Sequence, residues 1–389
     1  MDFKLDSEQQ LLQDSVRRYI EKAYSFEQRR ERMRKAAQGH AGHWQAFADN
    51  GWLAAALPEA YGGLGGSLIE TAVVAQEFGR GLVTEPYLGC AVLAAQALVA
   101  GGTTDQLDHW LPSLANGTRR LALAYAEAPS RGMPLPVALR ANPCAGGHLL
   151  SGRKTLVLGG AQADAFLVSA QMPQGLTLFC VDADAGGLAR TRLPLHDGSE
   201  AAELVFDQVK VDAHAVVGQP GAGLAALQTG LAHGMVAICA ELVGAMEMVI
   251  EMTAGFLKTR QQFGVPIGNF QTLQHRLADM AAEMEMARSM LFAALAAMQS
   301  EDEESRQKTL SGAKSLVCRA AKWVCGQGIQ LHGGIGMTDE YAVGHYFKRA
   351  IVADLLLGSS DRHDATCAGL GPSPTTARQG LDAPREVTA

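Results

Sequence analysis

Two long helical patterns joined by a short turn constrain the fold more than any other part of the chain. Met235–Lys258 is apolar enough for one long buried helix. Glycine and proline break the pattern within residues 261–268, and from Leu273 to Leu291 apolar residues recur at spacings of three and four, which is typical of a bundle seam. Arg260 and several amides lie at this turn, where free first-turn N–H groups could bind an anion. A plain helix–helix connector is the alternative.

The predicted secondary structure changes twice along the chain. Residues 1–118 are mostly helical in pattern, residues 119–218 contain short β-rich runs between turns, and residues 219–368 are helical again. Residues 369–389 lack periodicity and are predicted to be a disordered tail. Because no helical pattern separates the middle runs, we expect an antiparallel barrel or sandwich there and no βαβ dinucleotide-binding sheet.

Eight runs in the middle segment are candidate strands. They are rich in apolar or β-branched residues and are bounded by turn residues. They comprise Leu121–Ala126, Val137–Arg140, His148–Ser151, Leu156–Leu158, Phe166–Ala170, Leu176–Val181, Glu203–Phe206 and Val209–Val211.

Composition excludes several classes of function. The net charge of −7 and the absence of a long basic run argue against nucleic acid or an anionic membrane as partner. The first residues lack a signal-peptide pattern, and no apolar run is long enough to span a membrane. The seven cysteines are scattered, without a C-x-x-C pair, so we expect reduced thiols, a cytoplasmic location and no metal site. Cys318 and Cys325 are predicted to fill the core.

The segment Arg260–Met280 has the form R-x-x-F-G-x-x-I-x-x-F-Q-x-x-Q-x-x-L-A-D-M. This long, ungapped pattern resembles the signature of the acyl-CoA dehydrogenase superfamily. The resemblance implies that Arg260, Phe263 and Gln271 meet the FAD of a neighbouring subunit. A guanidinium is a forked donor suited to the pyrophosphate.

A second segment, Gln330–Met337, is rich in glycine. It follows a helical pattern, so it fails the strand–loop–helix context of a Rossmann fingerprint. It resembles the Q-x-x-G-G-x-G segment of the same superfamily, whose backbone passes close to the adenosine part of FAD. The resemblance adds these residues to the cofactor-binding set: Gln330, Gly333, Gly334 and Gly336.

Two positions that normally meet the flavin ring depart from the pattern. Gly152–Gly159 stands where the superfamily usually has G-x-K-x-W-I-T-N. Leu156 replaces the tryptophan and Leu158 the threonine. The contacts to the nucleotide end of FAD are therefore expected to be intact, whereas those to the ring have changed.

The usual catalytic base is absent. Leu357 occupies the place of the glutamate in Y-E-G-T, and Gly234 occupies the alternative position on the helix before the arginine motif. Asp361 and His233 are the candidates for an unusual base, and His363 and Glu241 are further nearby titratable groups. Structural or solvated roles are the alternative for each. Either one of them serves, or another chain supplies the base.

The resemblance covers residues 1–368 and implies an α+β fold: an N-terminal helical domain, a middle β-barrel or sandwich, and a C-terminal four-helix bundle. It implies FAD-dependent oxidation of an acyl-CoA to the trans-2-enoyl-CoA in fatty-acid or steroid catabolism. Electrons would pass to an electron-transfer flavoprotein or similar acceptor, from a homo- or hetero-oligomer.

Thr84–Pro86 and Gly344–Arg349 resemble a small-subunit branch, which includes pimeloyl-CoA dehydrogenase small subunits and the paired dehydrogenases of bacterial steroid side-chain breakdown. A heteromeric enzyme is therefore the favoured interpretation. A flavin monooxygenase or oxidase on the same fold and a non-catalytic structural subunit are the alternatives.

Overall fold

The computed structural model describes residues 4–34 and 43–369. The predicted tail lies outside this part of the chain, apart from Gly369. The described part of the N-terminal region is helical: α1 (Ser7–Ala23), α2 (Phe26–Arg34), α3 (His43–Asp49), α4 (Leu68–Gly81), a π-helix (Tyr87–Ala94), α5 (Ala95–Gly101) and α6 (Thr104–Ala115). None of the described helices has both the length and the apolarity needed to cross a membrane.

The middle region forms one eight-stranded sheet. Its strands are β1 (Leu121–Ala124), β2 (Arg140–Cys144), β3 (Gly147–Leu158), β4 (Ala165–Met172), β5 (Gly175–Asp182), β6 (Leu188–Pro194), β7 (Glu200–Asp212) and β8 (Val216–Val217). The order is β6-β7-β3-β2-β4-β5-β8, with β1 beside β4. The pairing is antiparallel except for β1–β4 and β2–β4, so the sheet is mixed. The chain crosses over between those strands, which permits parallel pairing.

The strand predictions need four corrections, one of which is that the two-residue strand β8 was not predicted. The runs predicted at 148–151 and 156–158 belong to one continuous strand, β3, and those at 203–206 and 209–211 belong to β7. Gly152 and Gln208 accommodate irregularities within the ladder and do not end the strands. The run predicted over Val137–Arg140 is shifted, since β2 begins at Arg140. Strand β6 was missed because its arginines and threonine face solvent at the sheet edge, so it lacks an apolar pattern.

The C-terminal region is a bundle of α7 (Gly223–Thr259), α8 (Gln271–Ala297), α9 (Glu303–His332), α10 (Val343–Leu355) and α11 (Ser360–Cys367). Helix α7 begins earlier than the predicted Met235. Asp302 caps α9 by accepting hydrogen bonds from the N–H groups of Glu304 and Ser305, and the acidic residues Glu301–Glu304 lie at the start of this helix. Cys318 and Cys325 are buried in the core, which confirms the prediction for both.

Two glycine contacts fix the N-terminal helices against α7. A Cβ at Gly79 on α4 would clash with the carbonyl of Glu241, and a Cβ at Gly244 would clash with the carbonyl of Gln76. The two helices therefore approach at backbone distance, which only glycine permits. This contact sets α7 between the N-terminal helices and the rest of the bundle.

Candidate functional site

The two motifs singled out in the sequence lie at the same end of the bundle. Helix α9 runs antiparallel to α8, so its last turn returns to the beginning of α8. Arg276 on α8 donates a 3.3 Å hydrogen bond to Gln327 on α9. The rings of Phe256 on α7 and His332 on α9 lie 4.6 Å apart. The Arg260 turn and the Gly333 loop are thus neighbours, although Gly333 follows Arg260 by 73 positions in sequence.

A tight hairpin carries the first motif. Strands β9 (Gln261–Gln262) and β10 (Val265–Pro266) pair antiparallel, and Phe263 and Gly264 turn with φ of +54° and +80°. A phenylalanine in this left-handed region costs about 1–2 kcal/mol. Its side chain is nevertheless 92% exposed. A strained and exposed aromatic ring indicates a contact made outside the chain.

Donors for an anion converge beside the hairpin. Arg260 ends α7 with an exposed side chain, and within the described residues its guanidinium has no hydrogen-bond or carboxylate partner. Phe270 stands at the N-cap of α8 and provides no side-chain acceptor for the first-turn N–H groups. Gln271 follows, also exposed. A forked cation and free helix N–H groups fit a pyrophosphate.

The glycine loop leaves an open face next to these donors. Gly333 has φ +62°, and a Cβ on either Gly333 or Gly334 would meet nothing within 4 Å. At Gly336 a Cβ would lie 2.7 Å from the carbonyl oxygen of Ile329, so this glycine is required by packing within the chain. Gln330 is exposed on the last turn of α9. The backbone at Gly333 and Gly334 is therefore open to close approach by a group from outside the chain.

Apolar side chains also project from this end of the bundle. Half of the ten large hydrophobic residues that are exposed in the described chain lie on the hairpin, the start of α8 or the glycine loop. They are Phe263, Val265, Phe270, Ile335 and Met337. Grouped exposed apolar residues are typical of an interaction surface.

The flavin-ring positions lie where the π-helix packs on β3. Leu156 has φ +49° at an irregularity of the strand. Gly89 of the π-helix contacts the carbonyl of Leu158 so closely that a Cβ would clash. A pocket of about 50 Å³ lies beside Leu158 and is also lined by residues of α4, α7 and α10, whereas Leu156 does not line it. Neither leucine has a side-chain hydrogen-bonding group to offer a flavin.

The two possible base positions converge on one point. A Cβ added at Gly234 would lie 3.1 Å from Cδ1 of Leu357. Leu357 is buried and has φ +57°, and Gly358 follows with φ +90°. A carboxylate at either position would therefore enter the same space. In this chain both positions are apolar.

The corner that carries Leu357 is held from two sides. The fully buried Lys314 donates hydrogen bonds from Nζ to the carbonyls of Ala353 (3.0 Å), Asp354 (3.3 Å) and Gly358 (3.2 Å). The carbonyls of Ala353 and Asp354 lie at the negative end of α10, where a cation is favourable. The backbone that would present a base is thus rigidly supported.

His363 contributes the second support. Its Nε2 lies 2.9 Å from the carbonyl oxygen of Leu357, and its Nδ1 lies 3.1 Å from Oγ of Ser311. Because the carbonyl can only accept, Nε2 carries the proton and the Ser311 hydroxyl donates to Nδ1. Burial, helped by the nearby charge of Lys314, lowers the pKa of His363 to about 4. The imidazole is neutral and already has two partners.

The other candidates for the base, His233, Asp361 and Glu241, have surroundings that differ from those of His363. Burial lowers the pKa of His233 to about 4, and its ring lines a cavity next to Leu357. Asp361 is exposed and pairs with Arg319 at 3.3 Å, away from the residues that line that cavity. Glu241 receives two hydrogen bonds from Arg349, at 2.5 and 2.8 Å.

The cavity has a volume of about 380 Å³. It lies between α7, the start of α9, α11 and the loop Gly132–Pro134. Leu231, Leu310 and Leu357 form its interior, and Glu303 and Gln307 are exposed at its mouth. This size and mixed lining suit an amphipathic small molecule.

Comparisons with known proteins identify the chain's relatives. Two family models match: "Acyl-CoA dehydrogenase, N-terminal domain" over residues 6–118 and "Acyl-CoA dehydrogenase, C-terminal domain" over residues 221–368. The mitochondrial 2-methylacyl-CoA dehydrogenase of Solanum tuberosum is 30% identical over 329 residues, 82% of this chain and 79% of that protein. The chain belongs to the acyl-CoA dehydrogenase family.

Two solved structures of this family are similar throughout. A variant of the steroid ACAD Tcur3481-Tcur3483 is 32% identical, with a TM-score of 0.84, over 93% of this chain and 97% of that chain. The ChsE4-ChsE5 complex from Mycobacterium tuberculosis is 29% identical, with a TM-score of 0.86, over 99% of this chain and 100% of that chain. The predicted architecture is therefore confirmed. As a member of the acyl-CoA dehydrogenase family, the chain is an FAD-dependent oxidoreductase of the kind that acts on acyl-CoA.

One buried ion pair of this dehydrogenase was not predicted. Nζ of Lys154 donates hydrogen bonds to Glu127 (2.7 Å) and Ser169 (2.9 Å), and Glu127 accepts from the N–H groups of Ala138 and Leu139. The pair fixes the loop that reaches the cavity at Gly132–Pro134. Burial lowers the pKa of Lys154 to about 8, although Glu127 acts in the opposite direction. The lysine of the G-x-K pattern was the signal that could have revealed it.

Proposed function

We propose that this chain is one subunit of a heteromeric FAD-dependent acyl-CoA dehydrogenase. The enzyme converts an acyl-CoA to the trans-2-enoyl-CoA, and this chain supplies the half-site for the nucleotide end of an FAD whose ring lies on another chain. One contrast carries the proposal. The residues expected to bind the nucleotide end are present and mostly exposed, whereas both base positions inside the chain are apolar.

The outward half-site supports binding across an interface. Arg260, Phe263 and Gln271 are exposed, and so are Gln330, Gly333 and Gly334. Gly336 is buried and serves to shape the loop. Exposed apolar residues surround these donors, and they would be covered by a partner chain. A cofactor bound here by this chain alone would remain largely in solvent.

The apolar base positions support a proton acceptor on another chain. Removal of the α-proton needs a group whose basic form is present and free to accept. The pKa of about 4 makes His233 and His363 weak bases, and His363 also has both ring nitrogens engaged. Asp361 is paired on the surface. A carboxylate of the partner is therefore a better candidate for the base than His233 or Asp361.

FAD would accept the hydride from the β-carbon and pass electrons to an electron-transfer flavoprotein or similar acceptor. This chain's own residues would bind the nucleotide end of the cofactor and enclose it. The Arg260 guanidinium and the first N–H groups of α8 would hold the pyrophosphate, and the Gly333–Gly334 backbone would bind the adenosine part. Phe263 would exclude water from that contact.

Flavin retention tests the proposal. The chain is purified alone and together with a similar chain that carries a glutamate at either base position. We expect a flavin spectrum from the pair, weak or no flavin from the chain alone, and loss of flavin from a pair that contains Arg260→Gln. A pair that assembles without any flavin would favour a purely structural subunit.

A further inference from the structure

The glycine loop, Gly333–Met337, is held in place by the residues that follow it. A Cβ added at Gly344, in the first turn of α10, would lie 3.3 Å from the carbonyl oxygen of Gly336, so the helix and the loop pack closely. The N–H and the hydroxyl of Thr338 donate hydrogen bonds of 3.1 and 2.9 Å to a carbonyl within the loop. The position of the loop therefore depends on what fixes the next residue, Asp339, and the start of α10.

His345, in the first turn of α10, is bonded on both sides. Its side chain is only 3% exposed. Nε2 lies 3.2 Å from both the carbonyl oxygen and Oδ1 of Asp339, and Nδ1 lies 3.3 Å from Nη1 of Arg29 on α2. The ring also packs edge-on against Phe26, with 4.9 Å between the centroids. The imidazole thus links the segment after the glycine loop to an N-terminal helix.

These partners fix the protonation state of the imidazole. A guanidinium can only donate, so Nδ1 accepts from Arg29 and the ring proton is on Nε2, facing the oxygens of Asp339. Burial lowers the pKa of His345, and the charges of Arg29 and Lys348 act in the same direction, although Asp339 opposes them. Within the described chain these are the charged groups that face the ring: Arg29 on α2, Asp339 in the connecting segment and Lys348 on α10 itself. Only the neutral imidazole satisfies both bonded neighbours.

A second positive charge beside Arg29 would be unfavourable. Arg29 is itself buried, and its other hydrogen bonds go to the backbone carbonyls of Leu82, at 2.8 Å, and Asp197, at 2.5 Å. The carboxylate of Asp197 is bonded instead to Arg349. Protonation of His345 would place two cations 3.3 Å apart away from water, where like charges repel strongly. The protonated ring would therefore have to leave Arg29.

We propose that His345 is a positioning residue for the FAD half-site: its neutral imidazole bridges Arg29 and Asp339 and so holds the glycine loop in the shape that receives the nucleotide end of FAD. The identity of the ligand rests on the proposed function. When the ring takes up a second proton, the bridge to Arg29 opens and the loop loses its support on the N-terminal helices. The affinity of the assembly for FAD should therefore fall in acid, with His345 as the switch.

A glutamine at this position separates the bridge from its titration. An amide accepts through its oxygen and donates through its nitrogen, as the neutral imidazole does, but it takes up no proton in this range. Flavin-free complex of this chain and its partner is titrated with FAD from about pH 8 to about pH 5. At the upper pH, wild type and His345→Gln should differ in Kd by less than about twofold. At the lower pH the wild-type Kd should exceed that of His345→Gln by roughly tenfold.

Other variants show whether the effect belongs to His345. His345→Leu removes both hydrogen bonds, so its Kd should be roughly tenfold weaker than wild type already at the upper pH. His148→Gln, on β3, should keep the wild-type pH profile. His332 adjoins the glycine loop and is also buried, with Nδ1 2.7 Å from the carbonyl of Gly328. A profile flattened by His332→Gln and not by His345→Gln would overturn the assignment.

A measurement on the wild-type complex decides the matter if the variants fail to fold. Because FAD binding and protonation oppose each other in the proposal, the pKa of His345 followed by imidazole NMR should be lower with FAD bound than without it. An equal pKa in both states would overturn the switch.

The result also separates this inference from the proposed function. An assembly that binds FAD with the same pH profile in wild type and His345→Gln would overturn the switch and leave the heteromeric dehydrogenase standing. An assembly that takes up no flavin at any pH would overturn both, since no half-site would then exist for His345 to position.

Discussion

Replacement of Arg260 by glutamine should weaken FAD binding strongly without harming the fold. The guanidinium is exposed and has no partner within the described residues, so its removal should change the free energy of unfolding by no more than about 0.5 kcal/mol. A charge-assisted hydrogen bond contributes about 1.5–3 kcal/mol. A forked contact to pyrophosphate at ~3 kcal/mol corresponds to roughly a hundredfold weaker Kd.

The assay is titration of flavin-free complex with FAD, followed by quenching of flavin fluorescence. Arg276→Gln is the control, because Arg276 lies at the same end of the bundle and makes only a 3.3 Å bond to Gln327. Its Kd should change by less than about twofold. Arg260→Lys should lie between wild type and Arg260→Gln, since lysine keeps the charge but lacks the fork. Equal Kd values for Arg260→Gln and Arg276→Gln would refute the role of Arg260.

Three further outcomes are expected. Phe263→Gly should relieve about 1 kcal/mol of backbone strain at φ +54°, so thermal unfolding should not occur earlier, yet flavin retention in the complex should fall; unchanged retention would contradict a contact by this ring. Lys314→Met leaves three buried carbonyls unpaired and should lower the free energy of unfolding in urea by about 3–5 kcal/mol. Lys308 is exposed, so Lys308→Met should lower it by less than about 0.5 kcal/mol. Equal losses of stability would contradict the role of Lys314 in supporting the Leu357 corner. The pKa of His363, about 4, lies below the unfolded value of about 6.5, so the stability that its neutral form contributes is present above pH 6.5. Up to ~3 kcal/mol of that stability is lost as the pH falls towards 4. His363→Gln should flatten this part of the stability–pH curve, and an unaltered slope would contradict a buried neutral imidazole.

Periodic features were readable from the sequence. The helices of the bundle were predicted because apolar residues recur along them, and Met280, Met284 and Leu291 are buried as that spacing requires. The glycine loop after α9 was placed correctly because glycine punctuates a helix end. Local patterns of this kind depend on neighbours in sequence.

Features set by distant parts of the chain were not readable. Gly152 was interpreted as a strand end, yet pairing with β7 carries β3 straight through it. The closeness of Gly234 to Leu357 arises where α7 meets the corner after α10. Lys314 gives no sign in sequence that its ammonium reaches three carbonyls about 40 residues away. Each depends on tertiary packing that overrides local pattern.

The location of the base is the central claim, and turnover tests it most directly. Acyl-CoA-dependent reduction of an electron acceptor is measured with this chain alone and with the chain paired with a glutamate-bearing partner. The account predicts turnover by the pair, its loss when the partner's glutamate becomes glutamine, and none from the chain alone. Robust turnover by this chain alone, abolished by His233→Leu or Asp361→Asn, would contradict it.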